Sequence, residues 1–201
     1  MIRVLIADDE QLIRTAIVAL LDLEDDITVI AQSDNGDDAI ALAAKLDPDI
    51  VLLDLEMPPT DGIYAAERIL NLNARIKAIL ITRHARPGVL KRALASGIAG
   101  FVPKSTPVSA LAAVIRDIAA GRRYVDPDIA ATALAADRCP LTPRELDVLR
   151  MTRQNAPIQH IAHTLSLAEG TVRNYLSTAM AKLDAPSRHA AAEVAWEHGW
   201  V

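Results

Sequence analysis

The sequence predicts a parallel α/β sheet domain followed by a small all-α domain, and three observations carry that prediction. Short apolar runs recur five times in residues 1–121, each followed by a helical pattern. Several of those runs end on a reactive side chain: Asp8, Asp54, Thr82 and Lys104. From Leu141 onward the strand signal stops and only helical patterns remain. A chain of 201 residues that is 51% apolar can build a core in each of two domains. With only Trp 2, Tyr 3 and Phe 1 available that core must be aliphatic, which suits parallel strands covered by Ala-rich helices.

Ile2 to Ala7 reads as the first strand, and Gln11 to Leu21 as a helix with Leu12, Ala16, Ala19 and Leu20 near helical spacing. Glu24-Asp25-Asp26 forms an acidic loop before a second strand, Ile27 to Gln32. Asn35-Gly36 breaks the chain, Asp37 or Asp38 opens a helix through Ala39, Leu42 and Leu46, and Asp47-Pro48 closes it. Ile50, Val51, Leu52 and Leu53 then run without alternation into Asp54, the pattern of a strand buried on both faces. Pro58, Pro59 and Gly62 turn the backbone into a helix from roughly Ile63 to Leu72, and the next strand ends at Thr82. Arg86-Pro87-Gly88 opens a short helix ended by Gly97, and Ala99 to Val102 form the fifth strand. Thr106-Pro107 reads as the cap and first turn of a last helix, Ala110 to Ala120, stopped by Gly121. Five β/α units of this kind fit a five-stranded, parallel, doubly wound sheet of flavodoxin-like type.

Ligands of such sheets bind at the carboxyl ends of the strands. Asp54 at that edge either caps the segment that follows or does chemistry. If the first and third strands are neighbours, Asp8 and Asp9 converge on Asp54, and three like charges that close must share protons or hold a cation. Oxygen ligands without His or Cys point to Mg2+. Taken singly, Thr82 reads as a residue leading into a helix and Lys104 as a surface lysine. Taken together, carboxylates, metal, hydroxyl and ammonium make a phosphoryl-transfer site.

On these residues, 1–121 resembles the receiver domain of bacterial two-component response regulators. The acidic pair falls on Asp8 and Asp9, the phosphoacceptor on Asp54 within DLEMPPTDG, the hydroxyl on Thr82, the lysine on Lys104 and the aromatic switch position on Phe101. The resemblance implies that Asp54 attacks a phosphohistidine on a sensor histidine kinase. It also implies Mg2+ held by Asp9 and Asp54, with Asp8 assisting and the Glu56 carbonyl as a further ligand. Lys104 would then pair one phosphoryl oxygen and Thr82 move in to bond another. Two residues depart from the pattern. Arg83, followed by His84, stands where the family has a small residue, and it either points to solvent or shields and pairs with the phosphoryl group. Pro103 removes a ladder donor, which the end of a strand tolerates.

Residues 122–139 read as a linker, with an Ala-rich stretch from Ile129 to Ala136 forming a short helix that Asp137-Arg138-Cys139-Pro140 ends. In residues 140–201, Thr142-Pro143-Arg144-Glu145 is a capping box that starts a helix through Leu146, Val148, Leu149 and Met151. Helices from Ile158 to Leu165 and from Glu169 to Leu183, separated by Ser166-Leu167-Ala168, form either a helix-turn-helix or an ordinary bundle of short helices. LTPRE, IAHTL, GTVRNYL and AKL resemble the LuxR-type DNA-binding domain of the NarL/FixJ response regulators. That resemblance makes Glu169 to Leu183 the recognition helix, with Val172, Leu176, Ala179 and Leu183 facing the core. Arg173, Asn174 and Ser177 face outward, Arg173 suited to guanine or phosphate and Asn174 to adenine, while Thr171 and Lys182 hold the backbone of double-stranded DNA.

Six basic residues of this domain (Arg144, Arg150, Arg153, Arg173, Lys182, Arg188) balance six acidic ones (Glu145, Asp147, Glu169, Asp184, Glu193, Glu197). A neutral domain grips one half-site weakly, so a homodimer formed on phosphorylation is expected. His160 replaces the family's usual Glu, Asn155 its usual Gly and Ala168 the Ser that caps the recognition helix. LEDD, DLEMP, ARPG, GTVRNY and the final GWV further resemble the DesR-like branch, whose kinases sense membranes, which implies membrane-lipid or envelope-stress genes as targets.

The formal net charge of -5 excludes a histone-type polyanion binder. Cys139, the single cysteine, forms no internal disulfide and has no zinc-site spacing, so it reads as a free thiol in a reducing compartment. No apolar run approaches the roughly 18 residues of a membrane span, and a cytoplasmic protein without membrane insertion is expected. The leading reading is a phosphorylation-controlled transcription factor rather than an enzyme. Haloacid dehalogenase-like phosphatases also use a strand-end Asp with Mg2+ and Lys, but carry a second Asp two residues on, where this chain has Glu56. A third reading is a constitutive DNA-binding protein whose receiver only dimerises.

Overall fold

The computed structural model describes residues 1–83, 86–135 and 139–201. His84 and the Ala136 to Arg138 end expected for the linker helix lie outside the described residues. The elements are β1 Ile2–Ala7, α1 Gln11–Leu21, β2 Ile27–Ser33, α2 Gly36–Leu46, β3 Ile50–Asp54, α3 Gly62–Leu72, β4 Lys77–Thr82 and α4 Pro87–Ala95. They continue with β5 Gly100–Pro103, α5 Val108–Ala119, β6 Tyr124–Val125, α6 Pro127–Ala135, α7 Pro143–Arg153, α8 Ile158–Thr164, α9 Glu169–Lys182 and α10 Arg188–Glu197. The chain divides into two compact units, Met1–Ala85 with Leu90–Ala131, and Arg86–Val89 with Thr132–Val201.

The first unit is a parallel sheet of order β2-β1-β3-β4-β5-β6. Its core is built on alternation within strands whose central residues are apolar. Val4, Ile6, Ile50, Leu52, Ile79, Ile81 and Val102 pack with Ile17 and Leu21 of α1 and Leu111, Ile115 and Ile118 of α5. The intervening Leu5, Val51, Leu53, Leu80 and Phe101 are equally buried, so both faces of the sheet are covered. Arg116 of α5 ties the acidic loop to this layer through Glu24 and Asp26.

Three expectations need correction, and the structure decides which side of α1 is buried. The sheet has a sixth strand where a linker was expected: Tyr124 N–H donates to Ala99 O at 2.9 Å and Asp126 N–H to Phe101 O at 3.0 Å, filling the open edge of β5. In α1 the buried residues are Ile17 and Leu21, with Ile13 packed beside them, while Leu12 is 84% exposed. That helix carries apolar rows on two sides, and the sheet takes the bulkier, β-branched row. Asn35, not Asp37 or Asp38, caps α2, its side chain accepting from Asp38 N–H at 2.8 Å. Pro107, not Thr106, occupies the N-cap of α5, so no side chain caps that helix.

The second unit holds four helices around Val148, Leu149, Ile161, Val172, Leu176, Ala179, Ala191, Ala192 and Ala195. The expected capping box is present: Thr142 Oγ1 accepts from Glu145 N–H and the Glu145 carboxylate accepts from Thr142 N–H. Asn155 at φ 59° takes the left-handed conformation that its place required. Ala168 opens α9 with no side-chain cap, and the turn before it is closed by Ser166 at φ 54°. Leu183, expected in the core, is packed against it and partly buried.

Candidate functional sites

Strand register alone lines the reactive residues along one edge. Ala7 pairs with Leu53, so Asp8 stands level with Asp54; Asp54 pairs with Ile81, one residue before Thr82; and Thr82 pairs with Pro103, one residue before Lys104. Gly62 closes the floor of this edge. Its N–H donates to Leu55 O at 3.0 Å, and a Cβ there would stand 2.1 Å from the carbonyl oxygen of Asp54. Only glycine lets α3 begin so close to the strand that carries Asp54.

Lys104 is the centre of the site. Its side chain is 4% exposed, and Nζ lies 2.7 Å from Glu10 Oε1, 2.9 Å from Asp8 Oδ2 and 2.9 Å from Asp54 Oδ2. Burial pulls the ammonium down, but the nearby carboxylates of Glu10, Asp54 and Asp8 outweigh it and hold the group above the usual lysine value. Burial raises Asp54 above the usual carboxylate range, opposed by Lys104 and by a backbone hydrogen bond from Glu56. Glu10 is held below its usual value, first by the hydrogen bond from Lys104. Thr82 is buried, and its carbonyl accepts from Lys104 N–H at 2.7 Å. Phe101, also buried, pairs with Leu80 across β4. Arg83 is exposed, yet Nη1 reaches Glu10 Oε2 at 3.1 Å.

One carboxylate oxygen from each of Asp8, Asp9, Glu10 and Asp54 lies within 4.8 Å of the others. Asp8 Oδ2 makes no hydrogen bond although Lys104 Nζ is near, the state of an atom that a cation satisfies. An all-oxygen set at this spacing fits Mg2+. Sequence reasoning had named Asp8, Asp9, Asp54 and the Glu56 carbonyl, and it missed Glu10. The signal was present, since Glu10 directly follows the acidic pair.

In the second unit Arg173, Asn174 and Ser177 are exposed on one side of α9, with Val172, Leu176 and Ala179 buried on the other, and Thr171 is half-buried. Arg173 Nη2 rests on Glu169 Oε2 at 2.8 Å. Lys182, expected on the DNA backbone, is turned inward instead: Nζ lies 2.8 Å and 3.0 Å from the two oxygens of the buried Glu145. The side chain is long enough to cross from α9 to the start of α7, which helical position alone does not reveal. Among the described residues no helix is long and apolar enough to cross a membrane.

The family model of the response regulator receiver domain matches residues 4–116, and that of the bacterial regulatory proteins of the luxR family matches residues 139–195. The chain is 39% identical to the uncharacterized transcriptional regulatory protein YvfU of Bacillus subtilis (strain 168), covering 100% of both. It is 37% identical to the transcriptional regulatory protein DesR of the same organism, covering 100% of this chain and 99% of DesR. Among solved structures, the response regulator RcsB of Salmonella typhimurium is alike in fold, with a TM-score of 0.67 at 23% identity over 96% of this chain and 98% of that one. A complex of RcsB with DNA has also been solved. Matched in both its halves, this chain belongs to the two-component response regulators with a LuxR-type DNA-binding domain, the NarL/FixJ type, a family of transcription factors and not of enzymes.

Proposed function

We propose that a sensor histidine kinase phosphorylates this chain on Asp54, and that the phosphorylated homodimer binds double-stranded DNA and regulates transcription. The observation that carries the reading is the buried Lys104 ammonium held 2.9 Å from Asp54 at the carboxyl edge of the sheet. A carboxylate oxygen of Asp54 attacks the phosphorus, the bond to the kinase histidine breaks, and the electron pair leaves on the imidazole nitrogen. Asp8, Asp9, Asp54 and the Glu56 carbonyl would hold Mg2+, which when bound would supply neutralising charge for the transferred group. Lys104 donates to one phosphoryl oxygen, and the Thr82 hydroxyl turns in to donate to another.

The phosphoryl group brings about 1.5 to 2 negative charges beside Asp8 and Asp9, which is why both donors are drawn inward. Movement of Thr82 opens room for the Phe101 ring and reshapes the surface around β5 and α5, shifting a two-state equilibrium. A shift from 1:99 to 99:1 requires about 5.5 kcal/mol. Dimerisation is the output, and the exposed apolar row of Leu12, Leu20 and Leu23 on and after α1 supports a receiver surface that pairs. On DNA, α9 enters the major groove, Arg173 and Asn174 read base edges, and Thr171 and Ser177 contact the backbone. Acting on DNA and on a kinase's phosphoryl group, the protein works in the cytoplasm. The comparisons do not support the expected membrane-lipid or envelope-stress targets.

Intact mass after incubation with Mg2+ and acetyl phosphate tests the reading. One acid-labile phosphate adduct is expected, absent in Asp54→Asn. No adduct, or an adduct that survives Asp54→Asn, overturns it.

A further inference from the structure

The ammonium of Lys104 is already crowded by carboxylates. Oxygens of Glu10, Asp8 and Asp54 lie 2.7 to 2.9 Å from Nζ, and the side-chain hydrogen bond runs to Glu10. If Asp54 accepts a phosphoryl group, the reading on which this inference rests, Lys104 must give up one carboxylate to bond a phosphoryl oxygen. Asp54 is the residue modified, and Asp8 is fully buried, with no exposed side into which its carboxylate can swing. Glu10 differs from both. Its side chain is 30% exposed, and its second oxygen already lies 3.1 Å from Arg83 Nη1, on a side chain that is 54% exposed and free to follow it.

We propose that Arg83 is a positioning residue that takes over Glu10 when Lys104 turns to the phosphoryl group. The chain Lys104–Glu10–Arg83 thus exchanges one ion pair and keeps the other, so no carboxylate is left facing the phosphoryl oxygens uncompensated. Without Arg83, the displaced Glu10 competes for Lys104 and repels the phosphoryl charge beside it. Arg83 therefore favours the phosphorylated state through Glu10 and not by contact of its own. This gives a role to the one residue at the site that departs most from the family pattern, and to the one acidic residue that the pattern does not name.

The coupling is read by a double-mutant cycle. Wild type, Arg83→Ala, Glu10→Gln and the double variant are titrated with beryllofluoride in excess Mg2+, following the bound-fluorine resonances by 19F NMR. An exposed ion pair of this kind predicts that Arg83→Ala weakens beryllofluoride binding about twofold to fivefold. Arg83→Lys restores most of the loss. In the Glu10→Gln background the same Arg83→Ala change has no measurable effect. An equal loss in both backgrounds, or no loss in the wild-type background, overturns the proposal while leaving Asp54 as the phosphoacceptor. Absence of bound beryllofluoride in the wild type overturns the Asp54 reading itself, and this inference with it.

Discussion

Replacing Lys182 with Met is expected to destabilise the C-terminal helical domain, not simply to loosen its hold on DNA. The substitution leaves the Glu145 carboxylate, 3% exposed, without its ammonium partner. Breaking a fully buried pair by removing one member costs about 3–5 kcal/mol. Here the Lys182 side chain is 32% exposed and Glu145 keeps the Thr142 N–H at 2.6 Å, so water and the remaining bond reduce the cost to about 2 kcal/mol. At roughly 4–8 °C per kcal/mol for a small domain, the melting temperature falls by about 8–16 °C. Burial raises the Glu145 carboxyl, but hydrogen bonds from Lys182 and Thr142 outweigh it and hold the group below its ordinary value of 4.5. A depressed carboxyl stabilises fully above that ordinary value and loses its contribution as pH falls through the folded one. The gap between wild type and variant should therefore be wide at neutral pH and narrow as acid protonates Glu145. Thermal unfolding followed by circular dichroism, at neutral and acid pH, reads both. An unchanged melting temperature together with weaker DNA binding would refute this argument and return Lys182 to the DNA.

Gly62→Ala places a Cβ 2.1 Å from the Asp54 carbonyl oxygen, so the strand end or α3 must yield by more than an ångström; a loss of about 1–3 kcal/mol in denaturant unfolding is expected, with slower phosphorylation by acetyl phosphate. Arg173→Ala should weaken specific DNA binding by about 1–3 kcal/mol in a mobility-shift titration while the melting curve stays at the wild-type position. Thr82→Ala should still accept phosphate at Asp54, as intact mass will show, but dimerise less than wild type when modified.

The sheet and its reactive edge were legible because several strands are apolar runs leading straight into the residue that matters, and parallel register then brings the ends together. Asp8, Asp54, Thr82 and Lys104 needed no more than that. Glu10 was not legible as a partner of Lys104, since their meeting depends on how the segment after β1 folds back. The sixth strand escaped because two residues, Tyr124 and Val125, carry no periodicity. In α1 the spacing of Leu12, Ala16 and Leu20 is as helical as that of Ile13, Ile17 and Leu21, and only the sheet decides between them. Lys182 was misjudged for a different reason: its Cα belongs to the outer side of α9, while its charge reaches across to α7.

The central claim is that a phosphoryl group on Asp54 changes how the chain associates. Sedimentation velocity of wild type and Asp54→Asn, each with and without acetyl phosphate and Mg2+, tests it most directly. The account predicts a shift from monomer to dimer in the wild type alone. A wild type that stays monomeric once modified, or an Asp54→Asn variant that shifts equally, would contradict it.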